Sequence, residues 1–314
     1  MKYVYQPPVS DASLTPEHFK EYFEFLYERQ SIWYKRFVQG QKPPWTNDSI
    51  LAKYKYTNIY RELDRGTLWL KDKIFKGGLQ FAERIKKNTL RNLLWKVCQY
   101  RLLNKIETFE AIGLIGYEKY SQDNHDGFFD RLFDLRASGV TVWTDAHITL
   151  QCNLKQDRLK NFETILDRLH PNVPEMVDLI LAGCGIEEFF NRIKKEYGFG
   201  PFISYEVATD LSYCTWNNID NNDWANPGPG CKFGLNLIFP QYKNTKEYQL
   251  GMNRLWNIQE KAFEKYGLDW QKIGYHSLPL SLRNIEHSLC EFGKYWKQQR
   301  GHGRARPIYR QKTF

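Results

Sequence analysis

The stretch from Gly198 to Gly234, GFGPFISYEVATDLSYCTWNNIDNNDWANPGPGCKFG, holds residues whose types suit chemistry on a phosphate-bearing substrate. A Gly-Phe-Gly-Pro turn opens it and a helix-like run ends at Asp210. A second carboxylate follows at Asp220, and Gly228-Pro229-Gly230 leads to Lys232. Glycines at 198, 200, 228 and 230 let a backbone come close to a ligand, and N–H groups at such turns cradle phosphate. A carboxylate just beyond can take a proton from whatever the phosphate positions. Gly-Phe-Gly-Pro alone is common, since many helix-to-helix turns need glycine for positive φ.

Two further segments carry reactive residue types. In YTNIYRELDRGT, residues 56–67, Arg61 and Arg65 stand four apart. A helix there would set both guanidiniums on one face, a fork for phosphate or pyrophosphate, with Asp64 three residues from Arg61. A surface network of ion pairs fits the same residues. In IEHSLCEFGKY, residues 285–295, Glu286, Cys290 and Lys294 fall at helical spacing and read as an ion-paired helix. A buried Cys290 is more often structural than nucleophilic. From Gly293 to Phe314 come seven basic residues (Lys294, Lys297, Arg300, Arg304, Arg306, Arg310, Lys312) and no acidic one. The whole chain carries +9, so +2 is left for the remainder. Such a tail neutralises phosphates without reading sequence, and a merely solvated tail fits equally well.

The elements that must position these groups read as helices. Pro16 suits a first helical turn after Thr15, and Phe19, Tyr22, Phe23, Phe25, Leu26 and Trp33 form an apolar stripe. Lys42-Pro43-Pro44-Trp45 is a stiff turn before a helix capped by Asn47 or Asp48. Helical patterns follow over 71–86, 90–103, 127–137, 158–169, 187–197, 201–211, 246–266 and 282–297, and only 139–151 looks strand-like. The fold class expected is all-α, with a helical catalytic region over 1–292, divisible into two lobes, and a basic tail over 293–314.

The 314 residues, 42% hydrophobic and 16% aromatic, suffice for a full core. No apolar run approaches the ~20 residues of a membrane span. The N-terminus lacks the apolar segment of a signal peptide. The six cysteines, Cys98, Cys152, Cys184, Cys214, Cys231 and Cys290, form no C-x-x-C pair and read as reduced thiols of an intracellular protein. The clustered cysteines of an iron–sulfur site are absent, and His287 with Cys290 lacks the second ligand pair that zinc requires. No metal or cofactor is expected.

Taken in order, PPWTNDSIL, YTNIYRELDRGT, GFGPFISYEVATDL, DWANPGPGCKFGLN and IEHSLCEFGKYWK run from Pro43 to Lys297. With these pieces the chain resembles the α-glutamyl/putrescinyl-thymine pyrophosphorylases, or amino acid:DNA transferases. That family is related to the helical domain of bacteriophage 5-hydroxymethyluracil DNA kinases. The resemblance implies a helix-hairpin-helix fold like that of DNA glycosylases. Their catalytic aspartate lies at the spacing that here separates Gly200 from Asp220, so Asp220 is the first choice for the base and Asp210 the second. It also implies replacement of the pyrophosphate on pyrophosphorylated 5-hydroxymethyluracil in double-stranded DNA by an amine, from an amino acid or a polyamine.

On this reading Arg61, Arg65 and Lys232 meet the pyrophosphate. Gly198, Gly200, Gly228, Gly230, Lys294, Arg300 and Arg304 contact DNA. The setting implied is the cytoplasm of an infected bacterium, coupled to a DNA kinase. This sequence has no G-x-x-x-x-G-K-[ST] loop, so the kinase step itself is not expected of it. His147 stands where the family would place an aromatic hydroxyl. The rival readings are a glycosylase acting on a modified pyrimidine and a non-catalytic DNA-binding partner of the kinase; a ring-adding Cys290 is a minor variant.

Overall fold

Apolar residues at helical period dominate this sequence, and helix is what it forms. The computed structural model describes residues 16–120, 127–144, 149–150, 153–275, 280–302 and 308. Among them there is no strand, only an isolated bridge between Tyr54 and Ile308, so the all-α expectation holds. The strand expected over 139–151 does not form in its described part. The chain builds two compact units. A terminal unit combines Met1–Asp64 with Trp224–Phe314, and an inserted unit comprises Arg65–Asp223.

The terminal unit begins with α1 (Pro16–Trp33), which continues as a π-helical turn over Tyr34–Val38, and α2 (Ser49–Lys53). Asp48 caps α2 by accepting from the N–H groups of Ile50 and Leu51, both at 2.8 Å. The chain then enters the inserted unit: α3 (Arg65–Lys73), α4 (Lys87–Leu103), α5 (Ile106–Ile112), α6 (Phe128–Ala137), α7 (Arg158–Leu169), α8 (Val173–Leu181), α9 (Ile186–Ile193) and α10 (Pro201–Leu211). It returns to the terminal unit as α11 (Pro229–Ile238), α12 (Thr245–Lys265), α13 (Trp270–Ile273) and α14 (Leu282–Gln299). Gly293, where the basic stretch starts, therefore lies inside α14.

Aromatic side chains fill the terminal unit. Phe23 meets Phe263 edge-on at 5.1 Å, Phe263 stacks on Trp270 at 4.4 Å, and Tyr22 and Phe25 pack on Phe292. Helices α11 and α14 approach backbone to backbone. A Cβ on Gly234 would run into the carbonyl of Leu289, and one on Gly293 would lie 2.8 Å from the Phe233 ring. In the inserted unit α4 is buried along most of its length and packs on α8 and α10.

The helix pattern departs from expectation in several places. The helix expected over 71–86 instead starts at Arg65 and stops at Lys73, because Gly77 and Gly78 adopt φ of 74° and 77°. Helices α5, α8 and α13 were not anticipated. Nor was α11: Gly228-Pro229-Gly230 read as a turn, yet Gly228 is the N-cap and Pro229 the first helical residue.

Candidate functional site

Helix α14 organises the terminal unit through side chains that a surface helix would show to water. Asn284, Glu286, Ser288 and Glu291 are each 4% exposed or less. Buried polar groups must find partners, and here the partners come from the separate sequence motifs. Asn284 accepts from the Arg61 N–H at 2.8 Å and donates to Glu62 at 3.2 Å. His287 bonds the Thr57 hydroxyl at 2.6 Å. Glu291 accepts from the Thr57 N–H at 3.2 Å and pairs with Lys294 at 2.6 Å. Tyr295 donates to the capping Asp48 at 2.6 Å. Arg283 pairs with Glu286, whose other oxygen lies 3.7 Å from the Cys290 thiol. A Cβ on Gly230 would sit 3.0 Å from that same sulfur. Three segments far apart in sequence thus converge on one helix. The expected ion pairs along the helix are present, Arg283 with Glu286 and Lys294 with Glu291, and both acids are buried.

The Arg61–Arg65 fork is also corrected. Arg61 opens a 3-10 turn over Arg61–Leu63, Asp64 is extended, and α3 starts only at Arg65. The two guanidiniums therefore do not share a helix face. Arg61, 11% exposed in its side chain, pairs with Asp64. Asp64 also accepts from the Asn58 N–H at 3.2 Å, and Asn58 receives a bond from Arg29 at 2.9 Å. Arg65 pairs with Glu107 at 2.6 Å, both well exposed at 65% and 51%. Such a pair contributes about 0–1 kcal/mol, so a phosphate can displace Glu107 at small cost. Lys232, on α11, holds its ammonium 5.5 Å from the Tyr248 ring.

In the inserted unit α9 and α10 form a hairpin. Gly198 has φ of +81° and no room for a side chain, a Cβ falling 2.5 Å from the Ile165 side chain of α7. Gly200 and Pro201 then start α10 in the conformation repeated at Gly228 and Pro229, with φ and ψ of −71° and 171° against −68° and 170°. Asp210 is fully buried. Its carboxylate takes the Nε and Nη2 of Arg101 in a two-pronged pair, while Glu206, one turn back on α10, holds Nη1 at 3.0 Å. So held, Asp210 is a structural acid that clamps α10 to α4.

Asp220 lies in the exposed loop after α10, its carboxylate accepting from the Asn222 N–H at 2.8 Å. Asp223, which sequence reading passed over, has its carboxyl pushed up by burial and then by Asp220. A paired carboxylate of that kind suits proton transfer. Burial, then Glu286, pushes the Cys290 thiol well above its ordinary value, so it stays protonated and is a poor nucleophile. No group of three or more metal-ligating side chains occurs among the described residues. No helix there is long and apolar enough to cross a membrane. His147, Cys152, Arg304, Arg306, Arg310 and Lys312 lie outside the described residues.

No solved structure matches the chain. A "5-hmdU DNA kinase" of Bacillus phage SP10 is similar, at 31% identity over 289 residues, covering 88% of this chain and 44% of the relative. The chain thus spans less than half the length of that relative. A family model described as 5-hmdU DNA kinase, helical domain, matches residues 16–304, across both units. The chain belongs to the family of 5-hmdU DNA kinase helical domains.

Proposed function

We propose that the protein takes part in thymine hypermodification of phage DNA, replacing the pyrophosphate of pyrophosphorylated 5-hydroxymethyluracil with an amine. The observation that carries the reading is the family match over residues 16–304. Support also comes from the motifs that carry the resemblance: those around Asp48, residues 57–62 and residues 230–234 meet on α14. The hairpin of α9 and α10 is the element that a helix-hairpin-helix, glycosylase-like fold would use to approach DNA. The working compartment would be the cytoplasm of an infected host, beside a DNA kinase that supplies the activated base.

In the proposed step the amine nitrogen attacks the methylene carbon on C5 of the base. The carbon–oxygen bond breaks and pyrophosphate departs with the electron pair. The ammonium first gives up a proton, because only the neutral amine can attack; Asp220 is the base, with Asp223 beside it in the same loop. Arg65, exposed and paired only across the surface with Glu107, would meet the charge building on the leaving group. A base carried in duplex DNA must be extruded for this attack.

The test is incubation with 5-hydroxymethyluracil DNA, a matching kinase and a panel of amino acids and polyamines, followed by nucleoside mass spectrometry. A heavier thymidine derivative is expected. Free base with abasic sites would assign a glycosylase, and unchanged nucleosides a non-catalytic DNA-binding partner.

A further inference from the structure

Charge divides unevenly between the two units. The terminal unit has 24 Lys and Arg against 14 Asp and Glu, a net +10, while the inserted unit has 21 against 22, a net −1. The cations that attract a polyanion therefore belong to the terminal unit, although the hairpin belongs to the other. Within the terminal unit, the last turns of α14 carry a group of cations laid on aromatic rings. The Lys297 ammonium sits 3.8 Å from the centroid of Phe233, and the Arg300 guanidinium 4.4 Å from that of Trp296. Phe233 and Trp296 meet at 6.0 Å, and the exposed His302 stacks along Trp296 at 6.5 Å. Phe233 reaches α14 because Gly293 has no side chain to block it.

We propose that this surface, Lys297 on Phe233 and Arg300 on Trp296, is a preorganised clamp for the phosphate backbone of double-stranded DNA. The reading of DNA as substrate supplies the identity of the occupant. Residues three apart on a helix are surface neighbours, so the two cations address one stretch of backbone. The rings restrict both long side chains before binding, which lowers the ordering cost of gripping a phosphate. Arg300 also touches Glu21 at 3.2 Å and Gln299 at 3.0 Å. The guanidinium's five donors leave others for phosphate. The basic stretch after Gly293 thus begins as a built, helical surface rather than a solvated tail.

The test is fluorescence anisotropy with the full chain and an unmodified thymine-containing duplex, across a salt series. A Lys297→Ala/Arg300→Ala double variant is expected to weaken binding at least ~10-fold and to flatten the slope of log affinity against log salt by about 2, two phosphates at ~0.9 each. Trp296→Leu, which keeps every charge, is expected to weaken binding ~3-fold with the slope unchanged. A charge-matched control, Lys119→Ala/Lys155→Ala on exposed positions of the inserted unit away from the α9–α10 hairpin, should change affinity less than 2-fold. Equal losses in the two double variants, or none in the first, would overturn the clamp. Binding to unmodified DNA needs no group transfer, so this result stands apart from the fate of the transfer reaction.

Discussion

The two units treat charge in opposite ways. The terminal unit carries the whole basic excess and displays part of it on rings at the end of α14. The inserted unit is nearly neutral and seals an arginine between two acids of α10, each at most 4% exposed. The first arrangement leaves cations available to an anion from solution. The second consumes its charges in fixing the helix that follows the Gly198 turn. Both belong to one helical fold, yet only the burial of the counter-charges decides which cation binds and which one builds.

That contrast can be broken most severely at the carboxylates. Asp220→Asn should lower transfer by about 10²–10⁴-fold, the usual contribution of a general base, with DNA affinity unchanged. Retained turnover would remove Asp220 from the mechanism. Asp210→Asn belongs to the other class: its loss should appear in unfolding curves. Arg101→Ala, which strands two acids in the core, should destabilise the fold by about 3–5 kcal/mol in urea denaturation. A loss below about 1 kcal/mol would mean that water reaches the pair.

Much of this was readable from residue order, and the limits of reading have physical causes. Helices α7 and α10 begin and end where their periodicity places them, at Arg158–Leu169 and Pro201–Leu211. Asp210 looked like a free helix-end carboxylate because its partner, Arg101, lies 109 residues earlier. The ion pairing of Glu286 and Glu291 was legible at helical spacing, but not their burial, since Glu291 also accepts from Thr57, 234 residues earlier. Helix α11 was hidden by Gly230 and Gly234, poor helix formers whose missing side chains are what let α14 approach. The Arg61–Arg65 fork failed for a local reason: Asp64 accepts the Asn58 N–H and stays extended, ending the turn before α3 begins.

Smaller substitutions sharpen the same comparison. Gly234→Ala should cost about 1–3 kcal/mol or more by forcing α11 away from the Leu289 carbonyl, visible as a lower Tm. Arg65→Ala should leave Tm within the ~1 kcal/mol of an exposed pair while slowing turnover of pyrophosphorylated DNA. A shift in Tm with turnover intact would make Arg65 structural.

The least effect is expected at Asp223. Its folded pKa is raised by burial and by Asp220. Its favourable contribution is therefore present below the unfolded pKa and is lost as pH rises through the folded value. Asp223→Asn should accordingly gain slightly in stability at neutral pH and show no gain under acid conditions. A gain at low pH alone would contradict that sign.

The central claim is substitution at the methylene carbon, and the most direct measurement is stoichiometry. With pyrophosphorylated DNA and an isotopically labelled amine, the account predicts one pyrophosphate released for each labelled amine found on a thymidine nucleoside. Pyrophosphate release without label, or label-free abasic DNA, would contradict it.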